Sequence, residues 1–142
     1  MLYVATTKPL PRKSWVKEAT DISVETLSDT DAPIKGHFNN PEVQYVGSTS
    51  GCGCDFPNLM YQNGGWPSAG DESDADSLDS DRFNREALFN LLRATNEEII
   101  EIYGEWAGTH AAEPKFREDI PLVRILDSDF YFKEQGFLRV AL

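Results

Sequence analysis

Only one stretch of this chain repeats its apolar residues at helical spacing, and that single stripe limits what the rest can be. Over residues 82–94 (Arg-Phe-Asn-Arg-Glu-Ala-Leu-Phe-Asn-Leu-Leu-Arg-Ala), Phe83, Ala87, Leu88, Leu91 and Leu92 share one face. Asp79, Ser80 or Asp81 caps the start, and the acids before it suit the positive end of the helix dipole. Thr95-Asn96 is the expected stop. A lone amphipathic helix must bury its stripe against another layer, and the segments around it are short and rich in β-branched and aromatic residues. The expected fold is α+β: a mostly antiparallel sheet of about four to six strands, the main helix on one face, and a long irregular loop.

The strand candidates follow from alternation and punctuation. Residues 2–6 (Leu-Tyr-Val-Ala-Thr) form a first strand, ended by Pro9 and Pro11, which cannot sit inside a sheet. Residues 21–27 alternate Ile22 and Val24 with Ser23 and Glu25. Residues 43–47 (Val-Gln-Tyr-Val-Gly) lie between the turn residues Asn39-Asn40-Pro41 and Gly47-Ser48. Residues 97–107 carry two patterns. Ile100, Ile102 and Trp106 alternate with Glu101 and Glu105, yet Leu88, Leu92, Thr95, Ile99, Ile102 and Trp106 also extend the helical stripe. The β-branched and aromatic content favours a strand. Residues 108–119 read as loop, and Pro121 opens a helical turn through Leu126. Phe130-Tyr131-Phe132 and residues 137–142 read as strands or extended segments, with Gln135-Gly136 turning between them.

The chain has 142 residues, which suits one domain over 1–142, and its 40% apolar content can fill one core. Net charge is −11. Nucleic acid is therefore not an expected partner, because a polyanion is held by Lys and Arg that release counterions. An anionic membrane surface is excluded on the same ground. The start shows no charged stretch followed by an apolar run, and no segment reaches about 18 apolar residues. The expected location is the cytoplasm, where the two cysteines stay reduced.

From Ser48 to Ser80 no periodicity survives, and loops this long are generally functional or disordered. Asp71, Glu72, Asp74, Asp76, Asp79 and Asp81 fall in a stretch without a base, so a flexible, solvated acidic loop is expected at about 61–81. The acids do not make a calcium loop. Starting at Asp74, the third position is Asp76 but the fifth is Leu78; starting at Asp79, the fifth is Phe83.

Chemistry-bearing residues are few. Gly51-Cys52-Gly53-Cys54-Asp55 places two thiols one glycine apart, able to face one point. They can grip zinc, form a tight reducible disulfide, or simply pack in a turn, and the turn is the plainest reading. A zinc site needs further ligands, and His37, His110 and Asp55 supply the candidates, although Cys-x-Cys is not the usual spacing. No cofactor is otherwise expected. A nucleophilic pair would join Cys52 or Cys54 to His110. Glu97, Glu98, Glu101 and Glu105 could hold a carboxylate pair, but solvent-facing glutamates are the default. Trp66, in Gly64-Gly65-Trp66-Pro67, together with Asp55, marks a loop that could anchor a partner, an unidentified protein or small ligand. The expectation is a small binding domain without catalysis, with a thiol-based metal or redox protein as the alternative.

Two resemblances bear on this. Tyr45-Val-Gly-Ser-Thr-Ser50 resembles the second half of the GIY-YIG nuclease motif, which implies a tyrosine, an arginine, a glutamate and a divalent metal. The first half is missing, with Asp-Ala-Pro-Ile-Lys-Gly at 31–36, and no arginine falls between Arg12 and Arg82, so no nuclease is expected. The order of Leu-Tyr-Val-Ala-Thr, Val-Gln-Tyr-Val-Gly-Ser, Gly-Cys-Gly-Cys-Asp-Phe, Glu-Ile-Tyr-Gly-Glu-Trp-Ala-Gly and Phe-Tyr-Phe-Lys-Glu-Gln-Gly-Phe-Leu is similar to small bacterial proteins of no established activity. That resemblance implies an intact fold and a bacterial origin, and no site residues.

Overall fold

The computed structural model describes residues 1–17, 21–51, 53, 56, 75–105 and 112–142, with the backbone alone for 75–79. Six strands form one sheet: β1 (Leu2–Thr6), β2 (Ser23–Thr26), β3 (Glu42–Gly47), β4 (Ile99–Gly104), β5 (Phe116–Pro121) and β6 (Gly136–Ala141). Their order is β2-β3-β1-β4-β6-β5, and every pairing is antiparallel except β5 with β6. One main helix, α1 (Ala75–Arg93), packs on one face, so the α+β architecture read from the sequence is the one observed.

That first face is aliphatic. Leu2, Val4, Val24, Val46, Ile100, Ile102, Leu138 and Val140 point into it, and Leu88 and Leu92 of α1 close it together with Leu122 and Ile125 of a 3-10 turn (Leu122–Leu126). Each such side chain contributes on the order of 1.5–3 kcal/mol on burial. No described helix is long and apolar enough to cross a membrane.

Several local expectations need correction. Helix α1 starts at Ala75, not 82, so the end of the acidic run is helical backbone; its acids stand where the helix dipole is positive. The buried stripe is also rotated. Phe83 is 43% exposed, whereas Asn84 and Arg85 are buried. The Arg85 guanidinium explains this: it donates to the carbonyls of Ile125 (3.3 Å) and Asp127 (2.8 Å) and to Asp81 (2.9 Å), tying the 3-10 turn to the helix. Residues 116–119, read as loop, belong to the edge strand β5, whose charges pair across to β6 and its approach: Lys133 with Glu118, Arg139 with Asp119. A charged edge of this kind resists pairing with other chains. Phe130 and Phe132 point inward around an outward Tyr131 as an extended segment that joins no described ladder; Phe132 meets Phe130 (5.2 Å) and Phe56 (6.4 Å) edge to face. Helix α1 ends as read, with Thr95 Oγ1 donating to Leu92 O at 2.8 Å and Asn96 at φ 58°.

Candidate functional site

The second face of the sheet carries the chemistry. Cross-strand register aligns Glu25, Tyr45, Tyr3, Tyr103, Phe137 and Arg117 in one row across all six strands. Tyr3 and Tyr45 meet edge to face at 6.0 Å, and Arg117 lies 4.7 Å above the Phe137 ring. Tyr3, Tyr103 and Phe137 are buried because the β2–β3 connection crosses over them. That connection carries a 3-10 turn (Ala32–His37), seats Ile34 in the core, and lays His37 on Tyr103 (5.2 Å) and Phe38 on Phe137 (5.5 Å).

Carboxylates fasten the connection. Glu101, 2% exposed, accepts from the backbone amides of Asn39 and Asn40 (both 2.8 Å) and from Asn39 Nδ2 (2.7 Å). Asn40 Nδ2 in turn donates to the carbonyls of Ala5 and Ile99, both at 3.2 Å. Glu97 does the same work at the end of β1, accepting from the amides of Thr7 and Lys8 and from the Thr7 hydroxyl. Glu101 and Glu105 are therefore not solvent-facing, as their alternation with Ile100 and Ile102 suggested: a second layer covers their side of the sheet.

Beyond Glu101 the layer becomes a phenol–carboxylate cluster. The Tyr3 hydroxyl lies 3.3 Å from Asp31 Oδ1, and the Tyr103 hydroxyl 3.5 Å from Glu105 Oε2. Burial, then the charges of Asp31 and Glu105, push the Tyr3 phenol far above its ordinary range. Burial, then Glu105 and Glu134, do the same to Tyr103. Both phenols stay neutral donors at any physiological pH. Burial lowers the Met1 ammonium against the pull of Glu134 and Glu105, and this amino group donates to the Glu105 carbonyl. His37, a candidate ligand from sequence, has its Nε2 enclosed without a hydrogen-bond partner among the described residues. No group of three or more His, Cys, Asp or Glu converges for a metal among the described residues.

The approach to the thiol pair is fixed from both sides. At Gly51 (φ +85°) a methyl would lie 2.8 Å from the Trp15 indole, and at Gly53 it would lie 2.7 Å from the backbone nitrogen of Leu2. The Gly53 amide donates to Tyr45 Oη at 2.7 Å, and Trp15 Nε1 donates to Thr49 O at 3.0 Å. The Thr49 amide donates to Oδ1 of fully buried Asn84 (3.1 Å), and Phe56 is also fully buried. Cys52, Cys54, Asp55, Trp66 and His110 lie outside the described residues, as does the acidic loop through residue 74.

Two cavities open elsewhere, on either side of a strap at residues 9–13 that runs along the β2 edge. One of about 310 Å³ is lined by Arg12, Thr26, Lys35, Pro41 and Glu42 among others. The other, about 320 Å³, lies between the strap, Ile22 and Val24 of the β2 edge, and Ala87 and Leu91 of α1.

Reading the sequence singled out none of Tyr3, Tyr103, Asn84, Arg85 or Arg12. One signal for the tyrosines was available: β1 is apolar at every position but the last, which marks a strand buried on both faces. No protein-family model, curated protein or solved structure matches this chain.

Proposed function

We propose that this chain is a small binding domain that works without catalysis. It takes a small ligand or protein partner at the surface formed by the 9–13 strap and by the turn around Gly51 and Gly53. One observation supports this above the rest: the acid and phenol groups gathered by the fold are bonded into it and covered. Glu97 and Glu101 hold backbone amides of neighbouring segments. Tyr3 and Tyr103 are buried and neutral beneath the connection at 28–40. Asp55 and Trp66 would extend the contact surface along the loop, and a cytoplasmic location fits a reduced thiol pair.

The test uses 1H–15N correlation spectra of the full chain with a panel of small anions, cations and neutral compounds, followed by product analysis of each binder. Shifts should gather at the strap and at Thr49, Gly51 and Gly53, and the compound should be recovered unchanged. Chemical conversion of a bound compound, abolished by Glu105→Gln, would overturn the reading.

A second reading makes Cys52 and Cys54 a thiol site for zinc or for redox cycling, completed by His37, His110 or Asp55. It is favoured by the steric demand for glycine on both sides of Cys52. Metal analysis of protein purified without a histidine tag decides it. Stoichiometric zinc that disappears in the Cys52→Ser, Cys54→Ser double variant would support it, and metal-free protein with two ordinary thiols would refute it.

A further inference from the structure

The strap at residues 9–13 is held on both sides of Arg12. Leu10 is clamped by the Gln44 amide, whose Oε1 accepts from Leu10 N (2.6 Å) and whose Nε2 donates to Leu10 O (3.1 Å). Lys13 bridges to Val24 with two backbone bonds of 2.9 and 2.8 Å. Pro9 and Pro11 fix the backbone between these anchors. Arg12 is therefore presented on a rigid crest, and among the described residues it alone lines both cavities.

Lys13 is paired with Asp21, whereas Arg12 and the Lys35 ammonium have neither a hydrogen bond nor an ion pair among the described residues. The two cavities differ in character. The one toward α1 is floored by buried Ile22 and Val24, walled by Pro11, Ala87 and Leu91, and also lined by the Lys13–Asp21 ion pair. The other is polar, with Glu42 beside Lys35. A largely apolar cleft ending on a guanidinium without a partner among the described residues fits a ligand with an apolar body and one carboxylate, which arginine receives through two parallel hydrogen bonds. Glu42 on the far rim and a net charge of −11 select against more highly charged anions. A volume of about 320 Å³ suits a molecule the size of an arylacetic acid.

We propose that this groove binds a small apolar monocarboxylate, with the apolar body between the strap and α1 and the carboxylate on Arg12. Lys35 contributes longer-range attraction. The inference rests on the binding-domain reading and names the ligand class for one of its surfaces.

The test titrates phenylacetate into the full chain, followed by calorimetry and by amide shifts, to roughly 20 mM, which reaches affinities weaker than a millimolar Kd. Saturable shifts at Arg12, Val24 and Ala87 are expected. Arg12→Gln should weaken binding about tenfold or more, and neutral phenylacetamide should bind weaker by a similar factor. Lys35→Gln, at the polar side, should weaken it by only about twofold. Equal binding by Arg12→Gln, equal binding of phenylacetamide, or no shift at the strap would each overturn the proposal. Shifts confined to Thr49, Gly51 and Gly53 would sink it too, while leaving the binding-domain reading in place; turnover of the probe would sink both.

Discussion

Replacing Glu101 by alanine should unfasten the connection that covers the second face. In the native protein its carboxylate accepts three hydrogen bonds of 2.7–2.8 Å, two of them from the backbone amides of Asn39 and Asn40. A hydrogen bond to a charged group contributes about 1.5–3 kcal/mol where the partner cannot turn to water. Asn39 is exposed and Asn40 half-buried, so part of that loss is recovered by solvent. The net expectation for Glu101→Ala is a loss of about 2–4 kcal/mol. With a typical urea slope, the unfolding midpoint falls by about 1–2 M. Glu101→Gln keeps one acceptor but turns an amide donor toward Asn39 Nδ2, and should lose about half as much. Urea unfolding monitored by tryptophan fluorescence gives the first number, and amide exchange at Asn39 and Asn40 gives the second, local one. A change below about 0.5 kcal/mol in the alanine variant, with exchange at both amides unaltered, would refute the clamp.

Other expectations follow from the same contacts. Gly53→Ala drives a methyl into the backbone of β1 and should cost about 1–3 kcal/mol, whereas Gly36→Ala, with nothing within 4 Å, should be neutral or stabilise by under about 1 kcal/mol in thermal unfolding. Arg85→Met strips the donors from the carbonyls of buried Ile125 and of Asp127 and should cost about 2–4 kcal/mol, with exchange accelerated first in the 3-10 turn at Leu122–Leu126. An unchanged turn in that variant would show that the guanidinium is not its tether.

The elements legible in the sequence are those whose periodicity reports a single environment. Residues 2–6, 43–47 and 137–142 alternate or run apolar because both neighbours in the sheet are present, and α1 announces itself through Leu88 and Leu92. What stayed hidden depends on partners distant in the chain. Glu101 looks like a solvent-facing residue until the Asn39-Asn40 turn, some 60 residues upstream, is folded over it. Arg85 breaks the helical stripe because its partners are carbonyls of a turn 40 residues away. Strand β5 carries Arg117, Glu118 and Asp119 at the open edge, so its pattern is that of a loop. The Arg12 groove arises from three segments brought side by side, and no local spacing encodes it. The thiol pair was the plainest chemical signal in the sequence, and the structure describes the glycines around Cys52 rather than the sulfurs.

The central claim is that the phenol–carboxylate layer on the second face is sealed and structural. Because burial makes Tyr3 and Tyr103 weaker acids than ordinary phenols, both remain protonated in the folded protein while the unfolded chain ionises them above about pH 10. The stability they contribute is whole below that pH and is lost as pH rises, by up to about 2.7 kcal/mol per pH unit for two protons. Ultraviolet titration of the five tyrosines, run beside circular dichroism, measures this directly. The account predicts that Tyr3 and Tyr103 ionise only together with unfolding. Reversible ionisation of every tyrosine near pH 10 in folded protein would contradict it.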